Sequence, residues 1–391
     1  MQPSKRIRAI FDGGSDGWEI LGKARARERA GAPVLNLTIG EHEDPTPPRF
    51  VEAMAEAARA GATRYSAFTG TPELRAAIAA RAASRTGWPT RPEQVIVTAG
   101  GQAALLAAFL ATLDPGDPIV FVDPYYATYP GTIRVVQGEP RPVPALPDAG
   151  FQPDLEAMAE ACRGAKALMI NSPHNPTGAV YTSETLEAVR RIVLENDLWL
   201  ISDEVYDGMV WRGEHLSPRA LPDMAERTIV IGSVSKSHAM TGFRLGWAVG
   251  PEEIVDLMGD YALNATYGLP GFIQQAGLFA LTEGGEEEAD LMATFRRRRD
   301  LAVARLSGRN GLKLAAPDGA MYVMLDIRGT GMSGEAFAEA LLEAEDIAVM
   351  PGESFGDAAA GHLRVALTVP DETLGDALER IADFAEGRLA A

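Results

Sequence analysis

Lys236 stands in the run Ser233-Val234-Ser235-Lys236-Ser237-His238-Ala239-Met240-Thr241-Gly242-Phe243-Arg244, which gathers a primary amine, hydroxyls and a guanidinium in one short stretch. A lysine amine condenses with a carbonyl to form a Schiff base, while serine hydroxyls and an arginine fork supply the directional, charge-assisted hydrogen bonds that a phosphate takes. The set suits a phosphorylated aldehyde. A lysine among serines is also what a solvated loop looks like, so the rest of the chain has to decide.

Other stretches carry matching chemistry. Ala99-Gly100-Gly101-Gln102 follows an apolar run and precedes an apolar helical stretch from Ala103. Its glycines allow close backbone approach where free N–H groups and a helix dipole favour a phosphate, although a Gly-Gly turn at that place also has a purely steric explanation. Tyr126, in Asp123-Pro124-Tyr125-Tyr126, offers a face on which a planar ring could stack, or is a packed loop tyrosine. Asn171-Ser172-Pro173-His174-Asn175-Pro176-Thr177-Gly178 is a rigid turn that aims the Asn175 amide inward. In Asp203-Glu204-Val205-Tyr206, Asp203 could pair with a protonated ring nitrogen or cap a helix, and Tyr206 reaches the same locale.

These residues sit at the ends of short apolar runs, at 95–98, 118–122, 167–170, 198–201, 228–231 and 247–249, that alternate with helical stretches. Such alternation predicts an α/β fold with a largely parallel sheet, and runs apolar throughout predict helices on both faces. Ligands of such sheets gather at the carboxyl ends of the strands. Thr71-Pro72 places a capping hydroxyl before a proline, with Leu74 and Ile78 on one face of the helix that follows. After residue 285 a long charged helix to about residue 306 opens a smaller α+β domain. The run Arg296-Arg297-Arg298-Arg299, flanked by acidic residues, reads as a solvated helix face and not a nucleic-acid patch. Gly13-Gly14-Ser15-Asp16-Gly17 reads as a turn, since no strand precedes it.

With 391 residues, 46% hydrophobic and 23% charged, the chain has the make-up of a globular enzyme with more than one core. A formal charge of −18 speaks against nucleic acid or anionic lipid as partners. The single Cys162 falls on an amphipathic helical stretch and should be a small buried residue. His42, His174, His215, His238 and His362 lack paired spacing, so no metal is expected. The N-terminal stretch lacks the apolar core of a secretory signal, and the longest apolar stretch, 103–113, is shorter than the ~20 residues a bilayer needs. A cytoplasmic protein is expected.

Taken in order, Gly100-Gly101, Tyr126, Asn175-Pro176-Thr177-Gly178, Asp203 with Tyr206, and Ser233-x-Ser235-Lys236 with Arg244 resemble the class I/II aminotransferases of pyridoxal 5′-phosphate (PLP) fold type I. The resemblance spans nearly the whole chain. It implies a large domain at 46–285 with a mostly parallel seven-stranded sheet, a small α+β domain at 1–45 and 286–391, and a homodimer with active sites at the subunit interface. It further implies that Lys236 bonds the cofactor's aldehyde and afterwards shuttles the substrate proton. Asp203 keeps the pyridine nitrogen protonated, Asn175 and Tyr206 bond the ring oxygen, and Tyr126 stacks. Ser233, Ser235, Arg244 and the Gly101-Gln102 backbone cradle the phosphate, and Tyr65 reaches the phosphate of the partner subunit. Arg364, in His362-Leu363-Arg364-Val365, matches the arginine that grips the substrate α-carboxylate, a job for a planar fork, and Gly40 the backbone beside it.

The expected reaction moves an amino group between an L-amino acid and a 2-oxo acid by a ping-pong route. A PLP-dependent carbon–sulfur β-lyase acting on cysteine conjugates uses the same machinery, and a PLP-sensing regulatory domain shares the fold. The chain departs from the family's usual Gly-Glu-Pro-Asp at Gly40-Glu41-His42-Glu43, where His42 is either a surface residue or a neighbour of the substrate side chain. Gln102 replaces a smaller or basic residue, which leaves its side-chain role open. Aspartate, aromatic and branched donors all remain possible.

Overall fold

Apolar runs with no polar alternation require cover on both faces, and the fold supplies it. The structure, a computed structural model, describes residues 1, 4–11, 17–145 and 147–389. The glycine turn expected at 13–17 lies, apart from Gly17, outside the described residues. Among the described residues the strands are β1 (Leu35–Asn36), β2 (Val95–Thr98), β3 (Pro118–Asp123), β4 (Glu139–Pro144), β5 (Ala167–Asn171), β6 (Trp199–Asp203), β7 (Thr228–Ser233), β8 (Gly246–Val249), β9 (Lys313–Leu314), β10 (Tyr322–Asp326), β11 (Ile347–Ala348), β12 (Met350–Pro351) and β13 (His362–Ala366).

Strands β2 to β8 make one seven-stranded sheet in the order β2-β8-β7-β6-β5-β3-β4. Only β8 runs antiparallel to its neighbours, β2 and β7. Side chains alternate between two cores, as the two-residue period of a strand dictates. Ile119, Phe121, Ala167, Met169 and Ile201 meet the helices Gly101–Thr112 and Glu252–Ala265, while Val120, Val122, Leu168, Ile170 and Leu200 meet Leu155–Ala161 and Ser183–Glu195. Cys162 belongs to the second core, fully buried, and burial pushes its thiol up to about 12. The strand β4 carries three prolines and gives no strand signal in sequence; it survives because it is the sheet edge, paired on one side only.

The helix Pro72–Thr86 starts as its sequence predicts: Thr71 Oγ1 accepts the Leu74 N–H at 3.4 Å, and Pro72 opens the first turn. A second unit holds the antiparallel sheet β12-β13-β10-β9 and the helices Gly334–Glu345 and Asp371–Glu386. The N-terminal part of the chain joins it. β1 pairs parallel with β11, and Ile20, Ala24 and Leu37 share a core with Phe337, Leu363 and Leu378.

The expected charged helix is Gly285–Leu306, but its arginine run is not a solvated face. Successive helical residues point about 100° apart, so four neighbours cannot share one face. Arg298 is only 5% exposed and donates to Asp371, Arg296 donates to the Trp211 and Val210 carbonyls, Arg299 to the Pro317 carbonyl, and Arg297 pairs with Asp371. The run laces the helix to both units.

No helix among the described residues is long and apolar enough to cross a membrane, and no group of three or more His, Cys, Asp or Glu among them is placed to hold a metal ion.

Candidate active site

Parallel strands in register present their carboxyl ends together. Asn171 of β5 pairs with Asp203 of β6, and β7 beside them ends at Ser233. Above these ends, against the second unit, lies a cavity of about 280 Å³ lined by Gly40, Gly101, Gln102, Tyr126, Asn175, Asp203, Tyr206, Ser233, Ser235, Lys236, Arg244 and Arg364. Residues separated by more than 300 positions in sequence therefore converge. Two expected residues stay outside the lining. Gly100 lies directly behind it, whereas Tyr65 is 90% exposed, its ring tilted beside that of Tyr267 with centres 5.6 Å apart.

At one end the donors suit a phosphate. Gly100 precedes the helix Gly101–Thr112 with φ 85° and ψ 170°, a region open only to glycine, and a Cβ there would fall 2.5 Å from Arg244 Nη2. The missing side chain is what lets the guanidinium lie against the helix N-terminus. Ser233 Oγ donates to Ser235 Oγ at 2.8 Å and caps the Ser235 N–H at 3.0 Å, and Arg244 Nη1 is anchored on the Thr241 carbonyl at 2.7 Å. The Gln102 side chain, left open by the sequence, turns away to bridge Thr132 and Thr128 at 2.7 and 3.0 Å, leaving its backbone at the helix start.

At the other end Asp203 is 5% exposed, and burial pushes its carboxyl up to about 6. Two hydrogen bonds work against that rise: Tyr129 Oη donates to Oδ2 at 2.6 Å and the Val205 N–H to Oδ1 at 3.4 Å. Between the ends, Asn171 Oδ1 takes the Asn175 N–H at 2.8 Å and its Nδ2 donates to the Asp203 carbonyl at 2.8 Å, so the turn after β5 is held from inside. Asn175 Nδ2 meets Tyr206 Oη at 3.4 Å, which meets Tyr322 Oη at 3.0 Å. Burial raises the Tyr206 phenol well above its ordinary range, so it stays a donor. Tyr126 lies edge-on to Tyr129, ring centres 5.7 Å apart, and burial raises its phenol too. Lys236 Nζ donates to the Gly40 carbonyl at 2.5 Å.

Arg364 comes from the middle of β13, 1% exposed. Its guanidinium lies between the rings of Tyr322 and Phe355, 4.4 and 4.5 Å from their centres, and donates to Asn175 Oδ1 at 2.9 Å and the Thr38 carbonyl at 2.5 Å. Its Nε is buried with no hydrogen-bond partner among the described residues. Gly40 has to be glycine because a Cβ would fall 1.8 Å from Tyr322 Oη.

His42 is not simply a surface residue. It is half-buried and absent from the lining: its Nε2 lies 3.0 Å from the Lys236 carbonyl, its ring meets Phe295 edge-on, and burial lowers it to about 4. A neutral imidazole thus props the lysine's backbone. Sequence reasoning missed Tyr129 and Tyr322. Tyr129 lies three residues beyond Tyr126 and so shared a visible stretch with it; Tyr322 opens β10, with no local signal at all.

A mostly parallel sheet with an α+β unit over its carboxyl ends is the architecture of the PLP fold type I enzymes. The aspartate aminotransferase of Thermus thermophilus, determined with maleate, superposes with a TM-score of 0.92 at 39% identity, covering 98% of this chain and all of that one. An arginine–pyruvate transaminase of Pseudomonas aeruginosa is 41% identical over 98% of both chains, and an aspartate/prephenate aminotransferase of Thermus thermophilus 40% identical over 97% of both. Residues 32–381 match the family model for aminotransferase class I and II, and the chain belongs to that family. It is a transferase of amino groups, and neither carbon–sulfur cleavage nor a purely regulatory role is favoured beside these relatives.

Proposed function

We propose that this chain binds pyridoxal 5′-phosphate in the cavity and moves an amino group between an L-amino acid and a 2-oxo acid in two half-reactions. The observation that carries the reading is the convergence, in one cavity, of an amine, a buried carboxylate, a phosphate-type cradle and a buried arginine. The residues fit the cofactor: the cradle exists only because Gly100 lacks a Cβ, and the donors around it are those a dianion needs. Ser233, Ser235, Arg244 and the backbone of Gly101 and Gln102 hold the phosphate. Asp203, a carboxylate above pH 6, holds the proton on the ring nitrogen, and Asn175 and Tyr206 donate to the ring oxygen while Tyr126 covers a face. When bound, the cofactor supplies an aldehyde to take up the amino group and a ring that withdraws electrons from the substrate Cα.

Lys236 Nζ, the one lysine amine lining the cavity among the described residues, takes the proton from the substrate Cα. Arg364 and Gly40 orient the substrate by its α-carboxylate, Arg364 being prepaid in position by its two ring contacts. The division into a large domain at 46–285 and a small one at 1–45 with 286–391 is part of the same reading, as is a cytoplasmic homodimer. Tyr65, exposed beside Tyr267, is the residue that reaches the partner's phosphate site. The two relatives named above carry donors of opposite side-chain charge in their names, so likeness alone leaves the donor open.

A spectrophotometric titration of the cofactor-loaded protein with single amino acids tests the reading. Loss of the visible band with release of an oxo acid and no ammonia is expected. Ammonia in step with each turnover would overturn it in favour of the lyase.

A further inference from the structure

The charges around the cavity distinguish classes of donor. Among the described residues its ionisable lining, tyrosines aside, consists of Glu41, Asp203, Lys236, Arg244 and Arg364. The function proposed above employs every one of these except Glu41. All three cations are thereby occupied, and among the described residues no further cation lines the cavity to receive a second substrate carboxylate. Glu41 lines the cavity and follows Gly40, whose carbonyl holds Lys236 Nζ. One carboxylate oxygen accepts from Thr241 Oγ1 at 2.5 Å; among the described residues Glu41 has no ion-pair partner. Ile39 and Trp18 also line the cavity, Trp18 packing against the buried cluster of Met324, Met350 and Phe355.

A carboxylate together with an aromatic face is a recognition set for a planar cation, which donates parallel N–H···O bonds to the one and lies on the other. We propose that Glu41 and Trp18 select an L-amino acid with a cationic end group, a guanidinium before an ammonium, and disfavour donors bearing a second carboxylate. The inference rests on the reading that Arg364 grips the α-carboxylate and leaves the substrate side chain to the remaining lining, Glu41 and Trp18 among it. Selection works by attraction to Glu41 for a cation and by like-charge repulsion for an anion, so one residue moves both ends of the specificity scale.

The test is a set of kcat/KM values for L-arginine, L-lysine, L-alanine and L-aspartate with the cofactor-loaded protein as it purifies, pyruvate being the acceptor. Arginine is expected to exceed alanine by about tenfold or more, with aspartate below alanine. Glu41→Gln should cut the arginine-to-alanine ratio about tenfold and raise the aspartate-to-alanine ratio; Trp18→Leu should lower the first ratio, with Trp18→Phe retaining most of it. A general structural defect would lower all donors together and leave the ratios alone. Aspartate outrunning arginine in the parent protein, or ratios unmoved by Glu41→Gln, would overturn the inference while leaving transamination intact. Failure of every amino acid to release an oxo acid would instead overturn the functional reading, and the inference with it.

Discussion

Replacing Asp203 with Asn should stabilise the cofactor-free protein while abolishing its use of the cofactor. The buried carboxyl is held at about 6 against an ordinary 3.8, mainly by burial. An acid whose folded pKa exceeds its unfolded value costs nothing below the lower pKa, and its cost grows as pH rises through the higher one. A shift of that size corresponds to ~3 kcal/mol at pH 7.5 and ~1.6 kcal/mol at pH 5. An Asn carbonyl can still accept the Tyr129 hydroxyl, but its amide leaves a donor to satisfy, at about 1 kcal/mol. The expected net gain is therefore ~2 kcal/mol at pH 7.5, falling by ~1.4 kcal/mol at pH 5. That decrement does not depend on the amide term. Asp123, which burial also pushes up to about 6, is common to both proteins and cancels. Urea unfolding of the two cofactor-free proteins at both pH values measures it. A variant less stable at pH 7.5, or a gain that does not shrink on acidification, would refute the view of Asp203 as a buried charge awaiting a cation.

Tyr129→Phe removes a bond that holds Asp203 down, so the pH below which cofactor binding weakens should rise by about one unit, read from dissociation constants across pH 5–8. Gly100→Ala places a Cβ 2.5 Å from Arg244 Nη2 and strains a glycine-only backbone, so affinity for pyridoxal phosphate should drop roughly tenfold or more while affinity for pyridoxal, which lacks the phosphate, stays nearly level in the same equilibrium assay. Arg364→Lys exchanges a stacked fork for a point charge; KM for every amino acid should rise by about 30-fold or more regardless of side chain, with kcat changed less in steady-state kinetics. Lys236→Ala should retain the cofactor non-covalently, released by dialysis, and lose turnover; full activity would remove the lysine from the mechanism.

Local order was the part of this protein that its residues announced. The strand runs at 95–98, 167–170 and 228–231 were visible because burial on both faces leaves an uninterrupted apolar signature, and the cap at Thr71-Pro72 because its chemistry is complete within four residues. Strand β4 was hidden: its prolines contradict a strand unless one knows it has a neighbour on one side only. The arginine run misled for the same reason, since composition shows charge but not what a helix leans on, and Arg298 proved buried.

The sequence by itself determined the kinds of groups the site employs and their order along the chain, because each rides on a strand end or turn whose signal is local. Only the tertiary structure decided their company. Tyr129 reaches Asp203 across 74 positions, Arg364 reaches Asn175 across 189, and Gly40 receives Lys236 across 196, contacts made by sheet register and by the docking of one unit on the other. It also decided that His42 props a backbone, that Gln102 faces away, and that Glu41 lines the cavity with its carboxylate bonded to Thr241. Burial and distance set those outcomes, and both are sums over the whole chain that no short stretch of sequence contains.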